Sequence, residues 1–124
     1  MRPLNRAICG PTAAAPGAAS ADSSSDPVGA LAHARDNLAA GGLVVAVEPF
    51  AEDRFEDNLA NPVALTFYVG SSALCVPHSI SDGGAALGAQ AGPARLTAAF
   101  VDGGFGSARV AAATPYNLVI EARA

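Results

Sequence analysis

The chain has 124 residues, 51 % of them apolar, which is enough for one domain of ordinary size. Thirty of those apolar residues are alanine, which buries little area, so the core must come from ten Leu, ten Val, three Ile, five Phe and two Tyr, and it is thin. Seven Arg, no Lys and eleven Asp plus Glu give a net charge of −4, and with no basic stripe to meet a phosphate backbone the composition excludes nucleic acid as a partner.

Residues 1 to 25 hold Pro3, Pro11, Pro16, an alanine-rich tract and Ser23-Ser24-Ser25, with no helical or strand period, and read as a disordered segment. Asp26-Pro27 then joins a good N-cap to the residue favoured at the first helical position, so a helix starts there. Val28, Leu31, Arg35 and Leu38 form its apolar stripe with Arg35 reaching over the edge, His33 lies off the stripe and reads as exposed, and Gly41-Gly42 is the expected stop. Leu43-Val44-Val45-Ala46-Val47 follows as an unalternated run, the pattern of a strand buried on both faces of a parallel sheet, and Glu48-Pro49 ends it.

Five acids and one Arg between Glu48 and Asp57 account for the whole net charge. The run AEDRFED has the oxygen-rich composition of a calcium or magnesium site but not the glycine-turn spacing of a calcium loop, so a solvated linker is the expectation and no metal is assigned. Asn61-Pro62 repeats the cap-plus-proline signal and opens a helix over 62 to 75, with Leu59, Val63, Phe67 and Leu74 on one face and Tyr68 and Cys75 beside it. Residues 81 to 92 are glycine-rich, with a short helical turn at Ala85 to Ala89 as the one expected feature. Pro93 opens a third helix that buries Leu96, Ala99 and Phe100 and closes at Gly103-Gly104. Strands at 107–112 and 116–123 are separated by Ala113, Thr114 and Pro115, too short for a parallel crossover, so they pair antiparallel. Leu118, Ile120 and Ala122 mark the buried face of the last strand, and Val119 indicates that its second face is covered too.

Cys9 and Cys75 are too few and too far apart for a disulfide framework or a zinc site, and a reducing, cytoplasmic setting is expected. The longest apolar stretch, Val63 to Val76, is broken by Gly70, Ser71 and Ser72 short of the roughly 18 residues that span a bilayer, so no membrane segment is expected. The N-terminus has no apolar core of about 7 residues to serve as a secretory signal.

The stretches DPVGALAHARDNLAAGGLVVAVEPF, ALGAQAGPARLTAAFVDGGF and TPYNLVIEARA together resemble the C-terminal part of class I S-adenosylmethionine-dependent methyltransferases, over residues 26 to 124. The resemblance implies an incomplete Rossmann-like α/β fold: the helix before the fifth strand, that strand near 43–47, a substrate-side insertion, then a helix and a closing antiparallel hairpin on a mostly parallel sheet. It also implies S-adenosylmethionine as cofactor of the intact family. The glycine-rich turn after a first strand and the acid after a second, which bind that cofactor in the family, have no counterpart here. Gly104-Phe105-Gly106 follows a helix and lacks the third glycine, so it reads as a turn. The chain is therefore expected to be the substrate-side portion of a methyltransferase, inactive alone and without a cofactor of its own.

Each candidate site residue carries two readings. Glu48 at a strand end faces a ligand or is a solvated carboxylate, and Tyr68 and Cys75 line an acceptor lid or are core. His78 after Pro77 is a general base or a plain loop histidine. Two functions besides the enzyme portion remain: an interaction module that pairs through the open edge of strand 43–47 with the missing half or a second copy, and a gene remnant whose product scarcely accumulates.

Overall fold

The computed structural model describes residues 25–124, so the disordered reading of the N-terminal segment lies outside the described residues except at Ser25. Ser25 is tied down there, its carbonyl accepting from Ala85 N–H at 3.2 Å and its hydroxyl lying 3.0 Å from Asp82 Oδ2.

The first helix, α1 (Pro27–Asp36), starts as its sequence dictates, with Asp26 Oδ1 accepting from Gly29 N–H at 2.8 Å. It ends earlier than the glycine pair predicts. Asn37 closes it, its Nδ2 donating to His33 O at 2.7 Å, and Gly41-Gly42 instead belong to a separate turn leading into the sheet. Leu31 is buried, Leu38 packs against the core, Val28 is at the surface and His33 is exposed.

Three strands, β1 (Leu43–Pro49), β2 (Ser107–Ala113) and β3 (Asn117–Arg123), form one sheet in the order β1-β3-β2. The short connection makes β2 and β3 an antiparallel hairpin, as its length requires, with a bulge between Val110 and Ala112. The final strand then inserts between the other two. It pairs antiparallel with β1 from Leu43↔Arg123 to Pro49↔Asn117, so β1 and β2 point the same way without touching.

Among the described residues the 43–47 strand lies in no parallel pairing, and it is not buried on both faces as the apolar run suggested. Val44, Ala46 and Glu48 face the core with Leu118, Ile120 and Ala122, whereas Leu43 is exposed and Val45 and Val47 are half-buried on the other side. An apolar run reports that a strand is apolar, not which faces are covered. Val119 is also half-buried on that second face. Beside it Glu121 holds Arg109 at 3.2 Å and Arg123 at 3.1 Å.

Helix α5 (Gly92–Asp102) lies on the core face, placing Leu96, Ala99 and Phe100 against the strands and against α1. Phe100 and Phe105 meet edge to face with ring centroids 5.4 Å apart, which fills the centre of a thin core. Among the described residues the result is a small α/β domain with a three-stranded antiparallel sheet.

Between β1 and α5 come a single turn, α2 (Phe55–Asn58), and one continuous helix, Pro62–Ser81, made of α3 (Pro62–Gly70), a π-turn (Ser71–Cys75) and α4 (Val76–Ser81). Asn61 caps it as predicted, its Oδ1 accepting from Val63 N–H at 2.9 Å. The helix runs past the predicted end at Cys75. Pro77 has no N–H for the carbonyl four residues back, and the preceding turn widens, with Val76 N–H reaching Ser71 O, so the proline is absorbed without a break.

The buried face also differs from the predicted one. Ala64, Ser71, Cys75 and Ser79 point inward, while Leu59 and Leu74 are exposed. The segment 82–91 forms no helical turn at Ala85 to Ala89. At 20 residues and a mean hydropathy of 1.3, Pro62–Ser81 is long and apolar enough to cross a membrane, a property that the interrupted apolar run did not reveal.

Candidate functional site

The residues singled out in the sequence lie at the carboxyl end of β1 or in the insertion that follows it along the chain. Glu48 is 1 % exposed on the core face, and its carbonyl is 3.5 Å from Asn117 Nδ2 on β3. The acidic run that follows is folded around one side chain. Asn58 Oδ1 accepts from Glu52 N–H at 2.8 Å, while its Nδ2 donates to Arg54 O at 2.7 Å and to Glu52 O at 3.2 Å. These bonds satisfy backbone groups that a tight loop would otherwise strand.

Asn58 is also the link to Tyr68. Its Nδ2 lies 3.4 Å from the Tyr68 hydroxyl, and the Phe55 ring meets the Tyr68 ring edge-on at 5.3 Å. Tyr68 is thereby held half-buried at the start of the long helix. Asp53 fastens the same loop to α5, with Oδ1 accepting from Ala94 N–H at 2.7 Å in its first turn, where negative charge is favoured. Gly92 permits this approach: its φ is +77°, and a Cβ there would come within 2.9 Å of the Asp53 backbone.

Two serines on the buried face of the Pro62–Ser81 helix hold the glycine-rich segment. Ser71 Oγ accepts from Ala89 N–H at 3.1 Å and Ser79 Oγ from Ala86 N–H at 3.0 Å. Cys75 sits between them, buried and in no disulfide. His78 projects to solvent with Nε2 at 3.8 Å from Asp82 Oδ2, and ten residues of helix separate it from Tyr68 by about 15 Å. The structure thus gathers Glu52, Asn58, Phe55 and Tyr68 into one group and keeps His78 apart from Tyr68.

Sequence reasoning missed Asn58, Ser71, Ser79 and Gln90. Small polar residues at helical spacing, Ser71, Cys75 and Ser79, were the available signal for the buried face. Asn58 gave none, because its partners are main-chain groups of its own loop. Both polar atoms of the Gln90 amide are shielded from solvent and make no hydrogen bond.

Among the described residues no three of His, Cys, Asp and Glu converge to hold a metal ion. The acids Glu52, Asp53, Glu56 and Asp57 are exposed, and the Arg54–Glu56 pair at 3.5 Å is a surface contact of small worth. Among the described residues no strand leads through a glycine-rich turn into a helix. The Gly104-Phe105-Gly106 turn leads from a helix into a strand. Its first glycine, at φ +88°, lies against the Arg35 guanidinium, which donates to Gly103 O at 3.2 Å. That turn clamps α1 to α5 and presents no helix N-terminus to a ligand. An open hollow of about 470 Å³ lies over the long helix, lined by Tyr68, Val69, Ser72 and Ala73. No family model and no curated protein matches the sequence.

Proposed function

We propose that residues 26–124 are the C-terminal, substrate-side portion of a Rossmann-like, S-adenosylmethionine-dependent methyltransferase domain whose cofactor-binding half is supplied from outside the described residues. The observation that carries this reading is the sheet. Two strands that point the same way are joined through α5 on one face, and the chain closes with an antiparallel hairpin strand. A doubly wound sheet that ends in a hairpin has this arrangement at one edge. Its remaining strands would lie beyond β1, where no strand pairs among the described residues, and its other helices would cover Val45, Val47 and Val119.

On this reading the chain contributes position rather than reacting groups. Methyl transfer is governed by in-line placement of donor and acceptor, and the loop fastened by Asn58 and Asp53 holds Tyr68 beyond the sheet end where an acceptor would lie. The test starts from the DNA upstream of the Asp26 codon, read in all three frames for a strand, a glycine-rich turn and a helix. That segment is then produced and mixed with the full chain, and thermal shift is recorded with S-adenosylmethionine. The full chain alone should give no shift and the mixture a clear one. A full chain that binds the cofactor at micromolar strength by itself, or a mixture that stays silent, refutes the reading.

The unpaired edge of β1 favours one alternative, an interaction module that adds a strand from another chain at 43–47. Val45→Lys, which places a charge on that edge strand, would then abolish association measured by sedimentation velocity. A stable monomer excludes the alternative.

A further inference from the structure

An aspartate followed by glycine is prone to rearrange, because no Cβ on the second residue hinders its amide from reaching the aspartate side chain. The pair occurs twice, at Asp82-Gly83 and Asp102-Gly103, and each is followed by a second glycine, so the two sites are chemically alike. In the reaction the glycine nitrogen bonds to the aspartate Cγ. Its proton goes to solvent, one carboxyl oxygen leaves as water, and a five-membered succinimide closes. Water then opens the ring. Opening at the former α-carbonyl routes the main chain through Cβ and leaves a carboxylate on Cα, which is isoaspartate. The water released in the first step is regained in the second, and no other reactant is consumed. Ring closure turns the peptide between the two residues, so each site reacts only as readily as its glycine can move.

The fold places the two pairs in opposite surroundings. Asp102 is the last residue of α5, and Gly103 after it is buried, its N–H donating to Ala99 O at 2.9 Å. A Cβ on Gly103 would lie 2.9 Å from Leu31 Cβ, and its carbonyl accepts from Arg35 at 3.2 Å. Moving Gly103 therefore opens the contact between α1 and α5. Asp82 and Gly83 are exposed beyond the end of α4. Gly83 has φ +72°, and among the described residues nothing comes within 4 Å of where its Cβ would be. Its N–H donates to Ile80 O at 3.0 Å, at an exposed helix end where opening costs least. We propose that Asp82-Gly83 is a site of spontaneous aspartate isomerisation in the folded chain, from which burial protects Asp102-Gly103.

Conversion at Asp82 also changes the structure around it. The Asp82 carboxylate accepts from Ser25 Oγ at 3.0 Å and lies 3.8 Å from His78 Nε2. Both contacts are exposed and exchange with water, so they leave Cγ open to Gly83. Just beyond, Gly84 N–H donates to Ser79 O at 2.7 Å and Ala85 N–H to Ser25 O at 3.2 Å, and Ser25 leaves no room for a Cβ at Gly84. Isoaspartate adds a methylene to the main chain ahead of this tightly seated glycine. It also carries its carboxylate directly on Cα, one bond closer to the main chain and away from Ser25 Oγ. The product therefore loosens the tie between the residue that precedes the α1 cap and the end of the long helix.

The test is to age the full chain at neutral pH and physiological temperature, folded and in concentrated urea, and to locate isoaspartate by peptide mapping with electron-transfer fragmentation. In the folded chain it should accumulate at residue 82 at least about 10-fold faster than at 102, since freeing Gly103 costs its bond to Ala99 O and its packing on Leu31. In urea the two rates should become equal. Equal rates in the folded chain, faster conversion at 102, or a preference for 82 that persists in urea overturns the proposal. So does a folded chain that stays unmodified at 82 while the unfolded chain converts. The chain carrying isoaspartate at 82, separated by chromatography, should show faster hydrogen exchange at the Ala85 and Ala86 amides, and exchange as slow as in the unmodified chain overturns the loosening.

Discussion

Asn58 holds the loop beyond β1 through three short hydrogen bonds to main-chain groups, so its removal has a calculable effect. Asn58→Ala deletes the acceptor for Glu52 N–H and the donors to Glu52 O and Arg54 O at a position that is almost fully buried. With about 1 kcal/mol net for each bond, and more for any group left dry, the loss is roughly 2–4 kcal/mol. A domain of about 100 residues has some 5–15 kcal/mol in total, and each kcal/mol moves its Tm by about 4–8 °C, so a fall of roughly 10–25 °C is expected in a circular-dichroism melt. Asn58→Asp should be worse at neutral pH. It keeps the acceptor for Glu52 N–H, but it points a carboxylate at two carbonyl oxygens in a loop already carrying Glu56 and Asp57. The sign of its pH dependence follows. The introduced carboxyl has a raised pKa in the fold, so the charge penalty is absent below the unfolded value of about 3.9 and grows as pH rises to the folded value. Measured as the difference from Asn58→Ala at each pH, to cancel other titrations, stability should fall from pH 4 upward. A flat difference between pH 4 and 8, or an Ala variant within about 3 °C of wild type, would refute this account of the loop.

Ser71→Ala leaves the Ala89 N–H buried without its acceptor and should lower stability by about 1–2 kcal/mol in urea unfolding, with faster hydrogen exchange at the Ala89 amide. Gly92→Ala combines a φ of +77° with a Cβ 2.8 Å from Asp53 Oδ1, so a loss above about 1 kcal/mol is expected in the same assay, together with faster exchange at the Ala94 amide that Asp53 accepts from. Gln90→Leu should act in the opposite direction. It replaces a shielded amide that makes no hydrogen bond, and a gain of about 1 kcal/mol is expected from the melt, whereas a loss would reveal a bond that the amide makes in solution.

Features set by neighbours in the chain were legible in advance. Asp26 and Asn61 cap helices because their side chains reach an N–H two or three residues on, and β2 and β3 form a hairpin because three residues allow nothing else. Features set by distant partners were not. Whether the 43–47 strand is covered depends on β3, more than seventy residues later, inserting beside it. The end of α1 was misplaced for a local reason: Asn37, capping through its own side chain, stops the helix before the stronger-looking glycines are reached. Ser71 looked like an interruption of an apolar run, and Ser79 lay beyond the expected end of the helix. They are instead the inward face, because their acceptors serve amides of a segment that follows the helix. Among the candidate site residues, the proximity of Tyr68 to Asn58 arises only when the acidic loop folds back.

The insertion between β1 and α5 is fastened mainly by polar side chains on main-chain groups: Asn58 within its loop, Asp53 to Ala94, Ser71 to Ala89 and Ser79 to Ala86. That mode of attachment explains the inverted polarity of the long helix. A helix held by apolar burial turns Leu and Val inward, whereas one held by serine-to-amide bonds presents small residues inward so that the backbones can approach, which leaves its large side chains outside. The exposure of Leu65, Val69, Leu74 and Ile80 is thus a consequence of how the insertion is tied to the domain. Leu65 and Val69 take no part in those bonds, so substitutions there leave the attachment intact, while substitutions at Asn58 and Ser71 loosen it.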